Sequence, residues 1–331
     1  MRHPHAATVA LATAARYRAL DTDLDLAVAA LNRVGVDAAL ADWDDPAIDW
    51  TAFDLVIVRS TWDYTWRHDE FMSWVASVPR IANLASVLSW NVDKRYLAEL
   101  SEHGVPVVPT VWNPTSANEL PDATEWVVKP NVSAGARDTA RWTTSADVMA
   151  HVRELMDAGR YAMVQPYLDR VDTEGETALL FFGGTFSHAV RKGALLVSDE
   201  GVVDIESRYD LRVTSATSKQ REVAAAVLDA VRAVVPGGDA LLYARVDLIP
   251  DAEGQPVLLE LELTEPSLFL PHADGAADRF ASAVFDELAT PATPAAPAVV
   301  TGSRPTAARN RSKTSAATAD SASDGRRDSR A

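Results

Sequence analysis

The chain reads as an α/β protein, a small doubly wound domain followed by a larger α/β body. Three observations predict this. Apolar runs of strand length alternate with helical stripes from residue 7 onward. Residues 53–58 are apolar almost throughout, as a strand buried on both faces of a parallel sheet must be. The 331 residues, 47% hydrophobic and 24% charged, suffice for two or three packed domains.

The elements follow in order. Residues 7–13 form a first strand, and a helical stripe runs from Asp23 through Leu24, Val28 and Leu31 to Val34, closed by Gly35 as a C-cap. Residues 36–41 and 53–58 supply two more strands, which completes a Rossmann-like domain over 1–88. A second unit begins near Ile81, with a helix at 92–103 and strands at 126–129 and 163–165 separated by a helix at 145–158. A third has hairpin strands at 177–182 and 186–191, a long helix at 219–234, and strands at 241–249 and 257–263 around the Asp-Ala-Glu-Gly turn at 251–254. The body thus spans 89–289, with a central subdomain at about 110–168 and a C-terminal one at about 169–289. From residue 290 the composition shifts to Ala, Thr, Ser, Pro and Arg, so 290–331 is expected to be a disordered tail.

Composition excludes several classes. With no Cys there are no disulfides, thiolate zinc sites or cysteine nucleophiles. A net charge of -16 repels nucleic acid and anionic lipid. No apolar run reaches the roughly 18 residues of a membrane span, and the N-terminus does not read as a signal peptide, so a cytoplasmic protein is expected. Of the 31 basic residues only 5 are Lys, namely Lys94, Lys129, Lys192, Lys219 and Lys313. In a chain that writes Arg by default, a Lys marks a place where a compact point charge suits better than a planar fork, and gripping phosphate is one such place.

Side chains in a strand alternate faces, so the last two strands set Arg245 and Asp247 on one face and Glu260 and Glu262 on one face, while Leu259, Leu261 and Leu263 point to the core. Three carboxylates and a guanidinium then converge. Hard oxygen ligands in that number suit Mg²⁺, which completes its shell with water and nucleotide phosphates; the alternative is a strand with one solvated face. Lys129 ends a strand and precedes a loop of small residues, Ser133, Ala134, Gly135 and Ala136, that lets backbone amides approach a phosphate or forms a plain turn. Lys94 sits in a first helical turn, where the dipole prefers acids. Gln165-Pro166-Tyr167-Leu168 leaves a buried strand and turns, and Glu174-Gly175-Glu176 sets acids beside a Gly. Arg59-Ser60-Thr61-Trp62-Asp63-Tyr64 lies beyond the carboxyl end of a strand, where open α/β sheets bind ligands, and its mixed groups suit a small polar zwitterion or an interdomain seam.

Five motifs in order resemble the ATP-grasp superfamily, in its glutathione synthetase-like branch, over residues 1–289: Asn91-Val92-Asp93-Lys94, Val128-Lys129-Pro130, Gln165-Pro166-Tyr167-Leu168, Arg245-Val246-Asp247 and Glu260 through Pro266. The resemblance implies ATP and two Mg²⁺ ions as cofactors. It places Lys94 and Lys129 on the α- and β-phosphates with Ser133 in the phosphate loop, Gln165, Tyr167 and Leu168 at the adenine, and Glu176 at the ribose. It gives Asp247, Glu260 and Glu262 to the metals, and makes Arg245, Lys129 and Arg191 catalytic. Arg59, Ser60, Thr61, Trp62, Asp63 and Lys192 are the candidates for holding a small amino-acid-like substrate. Glu262 stands where the family commonly has Asn, and the loop after Lys129 is poorer in Gly than usual.

Residues 59–64 and 262–269 look like the group that contains the O-ureido-serine cyclo-ligase of cycloserine biosynthesis. This implies a carboxylate activated as an acyl phosphate and opened by a nitrogen to an amide, within one molecule or between two amino acids; a nucleotide-binding module without turnover is the rival. A homodimer or higher homo-oligomer is a family-level expectation.

Overall fold

The computed structural model describes residues 6–199, 201 and 210–290. The readings of the N-terminal five residues and of the tail beyond Thr290 lie outside these. Among the described residues no helix is long and apolar enough to cross a membrane.

The first sheet is parallel, in the order β2-β1-β3-β4, built from β1 (Thr8–Thr13), β2 (Asp37–Asp42), β3 (Leu55–Val58) and β4 (Ile81–Ala82). β3 is buried at all four positions, as its unbroken apolar run requires. Helix α1 (Leu24–Arg33) follows β1 and ends before Gly35, whose φ of +83° is the left-handed turn that glycine adopts freely. Helix α2 (His68–Ser77) buries Phe71, Trp74 and Val75 in an aromatic cluster with Trp43 and Tyr64.

Where one helix was expected at 92–103 there are two, α3 (Ala85–Asn91) and α4 (Tyr96–Glu102). The break has a local cause. The Asp93 carboxylate accepts the Arg95 amide at 3.0 Å, and the Lys94 amide donates to the Asn131 carbonyl at 2.9 Å, so the turn at 92–95 bonds away from a helical ladder. α3 also runs through residue 88, where a domain boundary was expected.

The second sheet is antiparallel, β5-β8-β6-β7, from β5 (Val111–Trp112), β6 (Trp126–Pro130), β7 (Ala140–Trp142) and β8 (Ala162–Pro166), backed by α5 (Ser145–Asp157). α5 starts at Thr144, whose hydroxyl accepts the Asp147 amide as an N-cap.

A short helix, α6 (Val171–Glu174), leads into the third sheet, also antiparallel, in the order β11-β10-β9-β12-β13. Its strands are β9 (Glu176–Phe182), β10 (Thr185–Lys192), β11 (Leu211–Thr214), β12 (Tyr243–Pro250) and β13 (Pro256–Glu262). Helix α7 (Ser218–Val234), opened by a capping box between Thr217 and Gln220, buries Val223, Val227, Leu228 and Val231 against one face. Helix α8 (Ala276–Ala289) covers the other face and meets α1 of the first sheet through Phe280, Ala281 and Val284. Sequence periodicity had marked neither α2 nor α8, though both carry a stripe of buried residues at helical spacing.

Between β13 and α8 runs an irregular strap, residues 263–270, whose backbone groups are taken by side chains from elsewhere. Asn83 donates to the Leu263 carbonyl (2.7 Å), Tyr243 to Thr264 (2.9 Å), Trp62 to Glu265 (3.0 Å), Arg59 to Pro266 (2.8 Å) and Arg245 to Ser267 (3.2 Å). His188 Nε2 lies 3.0 Å from the Leu268 carbonyl. The buried Asp23 carboxylate accepts the amides of Leu268, Phe269 and Leu270 at 2.5, 3.2 and 2.7 Å and faces Arg59 at 3.5 Å.

Two outcomes follow. Asp23→Ala strands three buried amides and the Arg59 charge, so urea unfolding should show a loss of about 3 kcal/mol. Burial pushes the His188 imidazole down from 6.5 to about 4, so the neutral ring donates to Leu268 and accepts from Ser187 at 2.8 Å. The unfolded chain then binds more protons than the native one, and stability should fall as pH drops from about 6.5 to 4. His188→Gln, which keeps a donor and an acceptor, should flatten that part of the thermal-melting profile against pH.

Candidate active site

A cavity of about 510 Å³ opens between the second and third sheets and reaches the carboxyl ends of β1 and β3. Lys94, Lys129, Ser133, Gln165, Tyr167, Leu168, Glu176, Lys192, Arg245, Glu260 and Glu262 all line it, as does Trp62.

At the sheet end the charges interlock. Arg245 Nε stands 3.0 Å from Asp247 Oδ1, its Nη2 stands 2.9 Å from Oδ2, and the same Nη2 pairs with Glu262. Lys192 Nζ pairs with Asp247 Oδ2 at 2.9 Å and with Glu176. Gly175 makes the latter contact accessible, because a Cβ there would stand 2.6 Å from the Lys192 carbonyl, at a φ of +71°. Lys94 Nζ reaches Glu260 at 3.1 Å and the Ser133 carbonyl at 2.7 Å. Three of the chain's five lysines, Lys94, Lys129 and Lys192, are thus 5%, 7% and 6% exposed around one cavity.

Burial governs how these groups ionise. It pushes Glu176 up to about 8 against the pull of Lys192, and Glu262 up to about 7 against that of Arg245. Asp247 is held well below the carboxylate range, since Arg245 and Lys192 outweigh its burial, and Lys94 and Lys129 lower Glu260 in the same way. Lys129 is lowered by burial and by its neighbour Lys94.

At the other end Gln165 Nε2 donates to Thr110 at 2.9 Å, and Tyr167 lies beneath the Arg141 guanidinium, 3.5 Å from the ring centre. Leu168 packs with Val108, Ile249 and Leu259 into an apolar wall. Leu259 had been expected in the core. A bulge in β13 pairs Asp247 with Glu260 but Leu248 with Leu258, which turns Leu259 into the cavity and leaves Leu258 buried.

Several predicted residues lie elsewhere. Arg59 is 1% exposed in the seam beneath the strap, off the cavity wall, with Ser60 and Thr61 buried beside it. Asp63 accepts from the Trp43 indole at 3.0 Å and from Arg67 at 3.2 Å instead of facing the cavity. Arg191 points outward, opposite its neighbour Lys192, because successive residues of β10 face opposite ways. Asp247 is 1% exposed behind Arg245 and Lys192.

Tyr64, the last residue of the loop read after β3, also lines the wall. Other wall residues were not assigned from sequence: Tyr17, Leu20 and Asp21 after β1, Arg137 in the loop after β6, and Glu265 in the strap. The readable signal for the first three was their place at a strand carboxyl end. Arg137 donates to Thr65 at 3.0 Å and stacks 3.7 Å from the Trp66 ring centre, which holds the loop after Lys129 across the cleft.

Among the described residues no three acidic or imidazole groups stand ready to cage a metal by themselves. Glu260 and Glu262 remain partly open to the cavity, and as hard oxygen donors they fit an ion whose other ligands are phosphate oxygens and water.

Comparison with known proteins bears on this geometry. Residues 9–86 match the family described as D-cycloserine synthetase DcsG, N-terminal domain. The cycloserine biosynthesis protein DcsG of Streptomyces lavendulae is 38% identical over 295 residues, covering 85% of this chain and 98% of that protein. The crystal structure of D-cycloserine synthetase DcsG superposes with a TM-score of 0.78 at 36% identity, over 85% of this chain and 99% of that one. D-alanine–D-alanine ligase from Bacillus anthracis shares the fold, with a TM-score of 0.59 at 14% identity over 86% of this chain and 98% of that one. The chain therefore belongs to the DcsG family and is a ligase with the ATP-grasp fold.

Proposed function

We propose that this ligase phosphorylates the carboxylate of a small amino-acid-like substrate with ATP and closes the acyl phosphate onto a nitrogen of the same molecule, with O-ureido-D-serine as the substrate. The convergence of Lys94, Lys129 and Lys192 in one cavity with Arg245, Glu260 and Glu262 carries the reading. A carboxylate oxygen attacks the γ-phosphorus, the bond to the bridging oxygen breaks, and ADP departs. Nitrogen then attacks the acyl carbon, phosphate leaves with the carbon–oxygen bond pair, and the nitrogen gives up its proton. The relative's role in cycloserine biosynthesis supports the intramolecular form.

The chain's own groups do the positioning. Lys94 and Lys129 meet phosphate oxygens, whose charge offsets the cost of holding two buried cations side by side. Gln165, Tyr167 and Leu168 hold the base, and Glu176 the ribose. Arg245, already aimed by Asp247 and Ser267, faces the oxygens that gain charge as the phosphoryl group moves. Mg²⁺ held by Glu260 and Glu262 would neutralise phosphate charge, while Asp247 stands behind Arg245 and Lys192 and orients them.

ADP release by purified protein with Mg-ATP tests the reading. Release with O-ureido-D-serine alone supports ring closure, release with paired amino acids supports an intermolecular ligase, and silence across the panel overturns the proposal. Lys129→Ala and Glu260→Ala should each lower kcat/KM for ATP by about 100-fold or more. Lys192→Ala should behave similarly, whereas Arg191→Ala, on the outer face, should stay within about twofold of wild type by the same assay.

A further inference from the structure

The substrate half of the cavity has an acid with no cation. Glu265 lines it and is 8% exposed, with its Tyr64 hydroxyl contact as the neighbour that aims it. Of the other acids lining the cavity, Glu176 has Lys192, Glu260 has Lys94, Glu262 has Arg245 and Asp23 has Arg59, while Asp21, buried after β1, shares with Glu265 the absence of an ion pair among the described residues. Glu265 forms no ion pair with any described residue; the charges that act on it are the acids Glu262 and Glu260 and the cation Lys94, which is itself paired with Glu260.

The position is built. The Glu265 carbonyl is held by Trp62 at 3.0 Å and the next two carbonyls by Arg59 and Arg245 at 2.8 and 3.2 Å, so the backbone that carries the carboxyl cannot shift without breaking three hydrogen bonds. Trp62 and Tyr64 meet this residue through their polar edges, the indole at its carbonyl and the hydroxyl at its carboxyl, and Tyr17 stands in edge contact with Trp62 at 5.5 Å. A carboxylate buried among such groups is a site for a small cation. Arg245, bonded to Ser267 two residues on, brings a guanidinium to the same stretch of wall, and a carboxylate with a neighbouring ammonium would span the two.

Resting on the ligase reading above, we infer that Glu265 is a specificity-determining residue that receives the ammonium group of the amino-acid substrate, orienting its carboxylate toward Arg245. The ligand completes the ion pair the fold leaves open. Substrates lacking the ammonium leave Glu265 buried and unpaired, and the enzyme rejects them.

Steady-state kinetics of the full chain test this with two acceptors, O-ureido-D-serine and its counterpart lacking the α-amino group, against wild type, Glu265→Gln and Glu265→Asp. Wild type should discriminate strongly. Glu265→Gln should raise KM for the amino acid about 30-fold or more, shrink that discrimination, leave KM for ATP within about twofold and keep the melting temperature, and Glu265→Asp should recover part of the loss. An unchanged discrimination ratio in Glu265→Gln overturns the assignment, as does a change in the Mg²⁺ or ATP dependence alone, which would make Glu265 a metal-side residue. Wild-type protein that turns over neither acceptor nor any other amino acid overturns the ligase reading itself, a result separable from the behaviour of the variant.

Discussion

Eight residues, 263–270, irregular up to the 3-10 turn that opens at Leu270, hold the molecule together. A strap of this kind exposes backbone donors and acceptors that neither a helix nor a sheet can satisfy, and buried groups of that sort are costly unless paired. Here they are met by Asn83, Tyr243, Trp62, Arg59, Arg245, His188 and Asp23, drawn from the first sheet, its helix and the third sheet. Asn83, Trp62, Arg59 and Asp23 reach the strap only when the first sheet is packed against the third. The strap is therefore where the parts of the chain are registered against one another.

The same pinning sets the chemistry. Arg245 serves the strap through one guanidinium nitrogen and the acids Asp247 and Glu262 through others, so its orientation is determined before any nucleotide arrives. The edge of β13 is secured similarly: Asn91 and the Tyr96 hydroxyl bond to the backbone of Leu261 and Leu263, which closes an otherwise open strand edge. Glu260 and Glu262 sit on that strand and inherit its rigidity. A charged wall held this way needs little reorganisation when phosphates replace the internal ion pairs.

Much of this was legible in the sequence, for stated reasons. The continuous apolar run of β3, the capped stripe of α1 and the period-2 pattern of β12 and β13 are local signals, and they gave strands and helices near the observed bounds. Rare lysines in an Arg-rich chain pointed to Lys94, Lys129 and Lys192, which the fold gathers. Arg59 misled because its place after β3 is the same for a ligand-binding loop and for a buried clasp; only the strap that arrives 207 residues later decides between them.

Sequence by itself determined the α/β class, the order of the motifs and the face on which Arg245, Asp247, Glu260 and Glu262 gather, because these follow from the period of a strand and from local capping. Tertiary structure alone decided which charges face the cavity. The bulge that turns Leu259 inward, the burial of Asp247 behind Arg245 and Lys192, and the open carboxyl of Glu265 each depend on groups far apart in the chain. Periodicity reports which side of an element a residue takes; what stands on that side is set by packing between elements.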